Sequence, residues 1–117
     1  MKRIRSVLLI LIIIFSLCAC SKQKLADMTT EVHDDYTAII WEDKTYIPYC
    51  VVSRTECGNQ IGILTDSENN KIYEYKGYST DEWIVDFYAT DNIAMLMKEI
   101  DVTDIPAGLE SEYEWNK

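Results

Sequence analysis

Two hydrophobic patterns divide the chain. Up to residue 20 apolar residues run together, whereas from Tyr36 onward short stretches rich in aromatic and β-branched residues, the first two with large residues on each face, are parted by polar turns. Alternation with a period of two is the mark of a half-buried strand. YTAIIW (36–41) and TYIPYCVVS (45–53) flank Glu42, Asp43 and Lys44 and predict a hairpin with a short loop. Pro48 has no N–H to give a ladder, so it belongs at an edge or a bulge. QIGIL (60–64) and KIYEY (71–75) flank TDSENN, a turn rich in Asp and Asn. Ser79 followed by Glu82 fits a capping box, so one helical turn is expected there. WIVDFY (83–88) then reads as a strand, with Trp83, Val85 and Phe87 on one side and Ile84, Asp86 and Tyr88 on the other. IAMLMKEIDV (93–102) alternates only partly and is read as the strand that pairs with 83–88. DIPAGL, with Pro106 and Gly108, is a loop. ESEYEW (110–115) sets acids at 110, 112 and 114 against Ser111, Tyr113 and Trp115, as an edge strand or an extended tail pinned by two aromatics. The expectation is a mainly β domain, a small antiparallel barrel or sandwich of about six strands.

The first part of the chain follows other rules. Ser21 to Asp35, SKQKLADMTTEVHDD, is polar without a clear apolar period and reads as a tether, with a short helix near Leu25 to Val32 as the alternative. Before it, Val7 to Phe15 are uninterrupted apolar residues preceded by Lys2, Arg3 and Arg5. Even extended to Cys20, that run makes only about 21 Å of helix against a hydrocarbon core of about 30 Å. A run this short with its cations in front has the layout of an export signal.

Leu17, Ala19 and Cys20 complete the motif. LCAC resembles the lipobox of bacterial lipoproteins, in which a leucine and a small residue precede an obligatory cysteine; Cys18 stands at the tolerant position. The resemblance implies a diacylglycerol joined to Cys20 by a thioether, cleavage before Cys20, and anchoring at the extracytoplasmic face of the cell membrane. It implies a signal peptide over 1–19, a lipidated Cys20 and tether over 20–35, and a single β domain over 36–117. Two acyl chains give stable attachment at about 0.8 kcal/mol per buried methylene. YKGYSTDEW with the ending SEYEW is similar to small uncharacterised lipoproteins of Gram-positive bacteria, a likeness that implies a tethered β domain and no activity.

Charge sharpens this picture. The full chain carries −9; all twenty Asp and Glu lie after residue 19, and with eight Lys and Arg remaining there the exported part carries −12. So acidic a domain repels nucleic acid and anionic lipid, and suits a cationic partner. Cys18 leaves with the signal and Cys20 is acylated, so Cys50 and Cys57 form the one candidate disulfide in an exported, oxidising setting. A hairpin centred near Glu56 would set Cys50 opposite about residue 62, which argues against that bridge. His33, the sole histidine, lies in the tether and has no cysteine near it, so no zinc site is expected. DSENNK from Asp66 fails as a calcium loop because Lys71 replaces the required glycine and Gly77 the bidentate glutamate.

No nucleophile elbow, phosphate loop or HExxH motif occurs, and pairs such as Glu74 with Asp86 are unavoidable in so acidic a chain. Catalysis and cofactors other than the lipid are therefore not expected. Tyr73, Tyr75, Tyr78 and Trp83 cluster around Gly77 and are the candidate ligand contacts, for stacking on a wall glycan or anchoring a protein, although strand aromatics commonly fill a core. The expected function is a membrane-anchored, non-catalytic binding module, or alternatively an immunity-like accessory that blocks a basic exported protein.

Overall fold

The computed structural model describes residues 25–66 and 70–117. The signal, the lipobox, Cys20 and the part of the calcium-like turn around Glu68 lie outside the described residues. Seven strands occur: β1 (Ala26–Val32), β2 (Thr37–Trp41), β3 (Lys44–Val52), β4 (Cys57–Leu64), β5 (Lys71–Tyr75), β6 (Trp83–Tyr88) and β7 (Ile93–Glu99). They close into a barrel in the order β1-β2-β3-β7-β6-β5-β4. Alternating directions cannot close around an odd number of strands, so one pair must run parallel. That pair is β1 with β4, joined over Ala26↔Gly62, Asp27↔Ile63 and Met28↔Leu64. All other neighbours are antiparallel.

Each strand sends one large residue inward. Met28, Ile39, Tyr46, Leu64, Ile72, Ile84 and Met97, one from each strand in turn, form the barrel interior. β6 is buried on its other face as well. Tyr49, Tyr75, Trp83, Val85, Phe87, Ala94 and Leu96 make a second cluster, against which Val102, Ile105 and Leu109 of the C-terminal segment pack. The domain thus has a barrel core plus a covered outer face on β3, β7, β6 and β5. This arrangement explains why WIVDFY is apolar on both sides.

The mainly β barrel agrees with the strand-forming stretches in the sequence, as do the β2–β3 hairpin, β5, the turn before β6, and β7. Glu42, with φ 57°, turns the hairpin in the left-handed region. Two expectations are corrected and one alternative is decided. Residues 26–32 are a barrel strand and not tether, because Ala26, Met28 and Thr30 alternate with exposed Asp27, Thr29 and Glu31, and Met28 is fully buried. Of the two forms expected for 110–115, the structure has the tail held by its aromatics and not the edge strand; it ends in a 3-10 turn at Glu114–Asn116. β3 and β4 do not form a hairpin, since β7, β6 and β5 lie between them on one side. Their connection is a capped 3-10 turn, Arg54–Glu56, in which Ser53 N–H donates to the Glu56 carboxylate at 3.0 Å. Arg54 lies across the Phe87 ring at 4.0 Å and the Tyr73 ring at 5.6 Å, so this crossover also covers the second cluster.

Candidate functional site

The site begins with Pro48. Its ring removes a ladder donor, and the β3–β7 register shifts between Pro48↔Met97 and Cys50↔Leu96. Met97 faces the interior and Leu96 the second cluster, so the bulge turns both Tyr49 and Cys50 outward. It also leaves the Pro48 carbonyl to the C-terminal tail. Trp115 Nε1–H and Asn116 Nδ2–H each donate to that oxygen at 2.8 Å. Tyr113 stacks on Trp115 with centroids 4.5 Å apart, and Trp115 meets Tyr36 at 5.2 Å. The tail is therefore folded back onto the start of β2 and the middle of β3.

A second device shapes the other side. Lys98, beside Trp83 and Ile47 in the register, is 7% exposed. Its ammonium donates to the carbonyls of Val102 at 2.8 Å, Glu99 at 3.2 Å and Ile100 at 3.5 Å. These bonds curl the chain after β7 and direct Val102 to Leu109 over the second cluster. Burial pushes the Lys98 ammonium pKa down, while Glu99 and Asp101 act in the opposite sense. No ion pair among the described residues includes Lys98.

Between the curl and the tail remains a cavity of about 380 Å³, at the lower end of the ~300–1,000 Å³ typical of small-molecule sites. Tyr36, Tyr49 and Trp115 supply aromatic wall, Lys98 and Lys117 supply cations, and Asn116 supplies an amide. The Asn116 Oδ1 is buried without a partner. Such an arrangement can hold a small amphipathic molecule; it contains no nucleophile with a base beside it.

The residues singled out from the sequence lie elsewhere. Trp83 is fully buried and meets Tyr49 edge-on at 5.3 Å; Tyr75 is 6% exposed and stacks on Tyr78 at 5.0 Å. Tyr73 meets Phe87 edge-on at 6.2 Å. Of these four only Tyr78 is exposed, so Tyr75 and Trp83 serve the second core and present no open ring to a sugar. Cys50 and Cys57 are free thiols in strands that are not neighbours, and burial raises both thiol pKa values. Glu74 accepts from Asn59 N–H at 3.1 Å and Asp86 from Asn70 Nδ2–H at 3.1 Å, so the two carboxylates serve separate partners. His33 contacts Glu31 at 2.7 Å and Tyr36 at 4.9 Å at the turn after β1. Among the described residues no group of three or more His, Cys, Asp or Glu is placed to hold a metal.

The cavity residues were missed because Trp115 and Pro48 are 67 positions apart. One signal was available: Lys98 is a lone cation inside the apolar run IAMLMKEI. No family model, curated protein or solved structure matches this chain.

Proposed function

We propose that the chain is a membrane-anchored extracytoplasmic lipoprotein whose barrel is a non-catalytic binding module, with the cavity between Lys98 and Trp115 as its ligand site. The observation that carries the binding reading is that cavity: an aromatic, cation-bearing hollow built by a tail that the barrel interior does not need. The anchor reading rests on the cationic start, the short apolar run and LCAC. With β1 beginning at Ala26, five residues separate Cys20 from the barrel. At about 3.4 Å per extended residue they reach about 17 Å, so the lipid would hold the barrel close against the bilayer.

Metabolic labelling with a fatty acid tests the anchor. The full chain takes label and sediments with membranes, whereas Cys20→Ala takes none and stays unprocessed; equal labelling of both would remove the lipoprotein reading. A second reading, an inhibitory accessory that blocks a basic exported protein, draws on two other cavities. One of about 310 Å³ is lined by Glu110 and Glu112, the other of about 220 Å³ by Glu82 and Asp104. Binding of such a partner would weaken steeply as salt is raised.

A further inference from the structure

Three hollows among the described residues differ in the sign of their walls. Glu110 and Glu112 line one and Glu82 and Asp104 another, with no cation in either. The cavity under the tail is lined by Lys98 and Lys117 and by no Asp or Glu side chain. In a chain with 20 acids against 11 Lys and Arg, a wall of the opposite sign is a local arrangement and not a consequence of composition.

We infer that this cavity binds a small organic anion, a carboxylate-bearing molecule whose apolar body lies between Tyr36, Tyr49 and Trp115 and whose charge lies against Lys98 and Lys117. The inference rests on the cavity being the ligand site of a binding module, and it adds the ligand's chemical class. A desolvated ammonium without an anionic partner is unfavourable, and backbone carbonyls compensate it only in part. Lys98 is in that condition: its contacts are carbonyls, and the one to Ile100 at 3.5 Å is so long that this N–H can turn toward a ligand. A carboxylate would supply the missing charge. Lys117 is held only by Glu114 at 3.4 Å, a surface pair with both side chains well exposed, so it can be recruited with little loss. The partnerless Asn116 Oδ1 adds an acceptor in the same wall, suited to an N–H or O–H on the ligand beside its carboxylate.

The probe pair is 2-naphthoate and its neutral methyl ester, methyl 2-naphthoate, which share an aromatic body, lack N–H and O–H donors, and differ in charge. Each is titrated against the full chain held in discs of zwitterionic lipid, with empty discs as the blank and tryptophan emission as the readout. Naphthoate is expected to bind at least about tenfold tighter than the ester, and to weaken as salt rises from about 50 to about 500 mM. Lys117→Gln is expected to weaken naphthoate about threefold or more and leave the ester unchanged. Its exposed side chain makes an unaltered urea midpoint the check on folding. Lys98→Met tests the deeper charge, and Lys98→Arg, which keeps the charge and the carbonyl contacts, serves if the methionine variant unfolds. Equal affinity for acid and ester overturns the anion class and leaves the binding-module reading standing. Binding of neither probe by the folded chain overturns both.

Discussion

Among the described carboxyl groups, Asp86 is the one whose ionisation burial opposes on balance. It faces the barrel interior on β6, is 3% exposed, and accepts from Asn70 Nδ2–H at 3.1 Å. Burial raises its pKa to about 6, against which hydrogen bonds from Tyr88 and Asn70 act only in part. A carboxyl whose folded pKa lies above its unfolded value binds more protons when folded between those two values. Stability contributed by the protonated form is therefore present below about pH 4 and is lost as pH rises toward about 6. Two pKa units correspond to about 3 kcal/mol, as an order of magnitude. Asp86→Asn keeps an oxygen for Asn70 and removes the charge. Urea midpoints at pH 4, 6 and 8 should show the variant level with the parent at pH 4 and more stable at pH 8. A variant less stable than the parent at pH 8 would mean that the carboxylate is held favourably inside the barrel. Asp66 works in the opposite sense at the exposed rim: Thr30 N–H and Oγ1–H donate to its carboxylate at 2.8 and 2.9 Å and lower its pKa.

At the scale of elements the join to test is the parallel seam between β1 and β4, three residue pairs long like β2–β3 but without a turn to tie its strands together. Gly62 makes it close. A Cβ there would lie 2.7 Å from Met28 Cε and 2.9 Å from the Ala26 carbonyl oxygen. The methionine can yield, but the carbonyl belongs to the pairing strand and cannot. Gly62→Ala is therefore expected to lower stability by about 1 to 3 kcal/mol and to speed hydrogen exchange in β1 and β4 ahead of β6 and β7. Uniform exchange across the seven strands would show that the seam does not open on its own. This seam also marks where the sequence was legible and where it was not. Hairpin strands and β6 announce themselves through β-branched and aromatic content and short turns between neighbours in sequence. β1 has one large inward residue, Met28, so its period is carried by Ala26 and Thr30, which hydrophobicity barely registers. Its partner β4 lies more than thirty residues away and runs parallel, which no local signal encodes. The cavity was illegible for a related reason. It depends on a carbonyl freed by the Pro48 bulge; the sequence predicted an edge or a bulge at Pro48, but not the Trp115 side chain that takes the oxygen.

In the whole molecule, a self-contained barrel carries a cover that is not part of it. The interior cluster draws one buried residue from each strand and none from beyond residue 99. The tail is held by two hydrogen bonds to one carbonyl and by the Tyr36–Trp115 contact, while the Asn116 Nδ2–H bond to Ser111 Oγ at 2.8 Å ties the tail to itself. Each neutral hydrogen bond contributes about 1 kcal/mol net, and an aromatic pair about 0.5 to 1.5 kcal/mol beyond the area it buries. Deleting residues 110–117 leaves the Pro48 carbonyl to water and keeps Val102, Ile105 and Leu109 over the second cluster. The expected outcome is a folded barrel with unchanged far-ultraviolet dichroism, about 2 to 4 kcal/mol less stable. Its cavity lacks the Trp115, Asn116 and Lys117 wall, so naphthoate binding is lost. Trp115→Phe should lose about 1 kcal/mol and keep the ring, separating the hydrogen bond from the stack. A truncated chain that unfolds would make the tail part of the barrel's own stability, and one that still binds naphthoate with the parent's affinity would move the ligand site away from the tail.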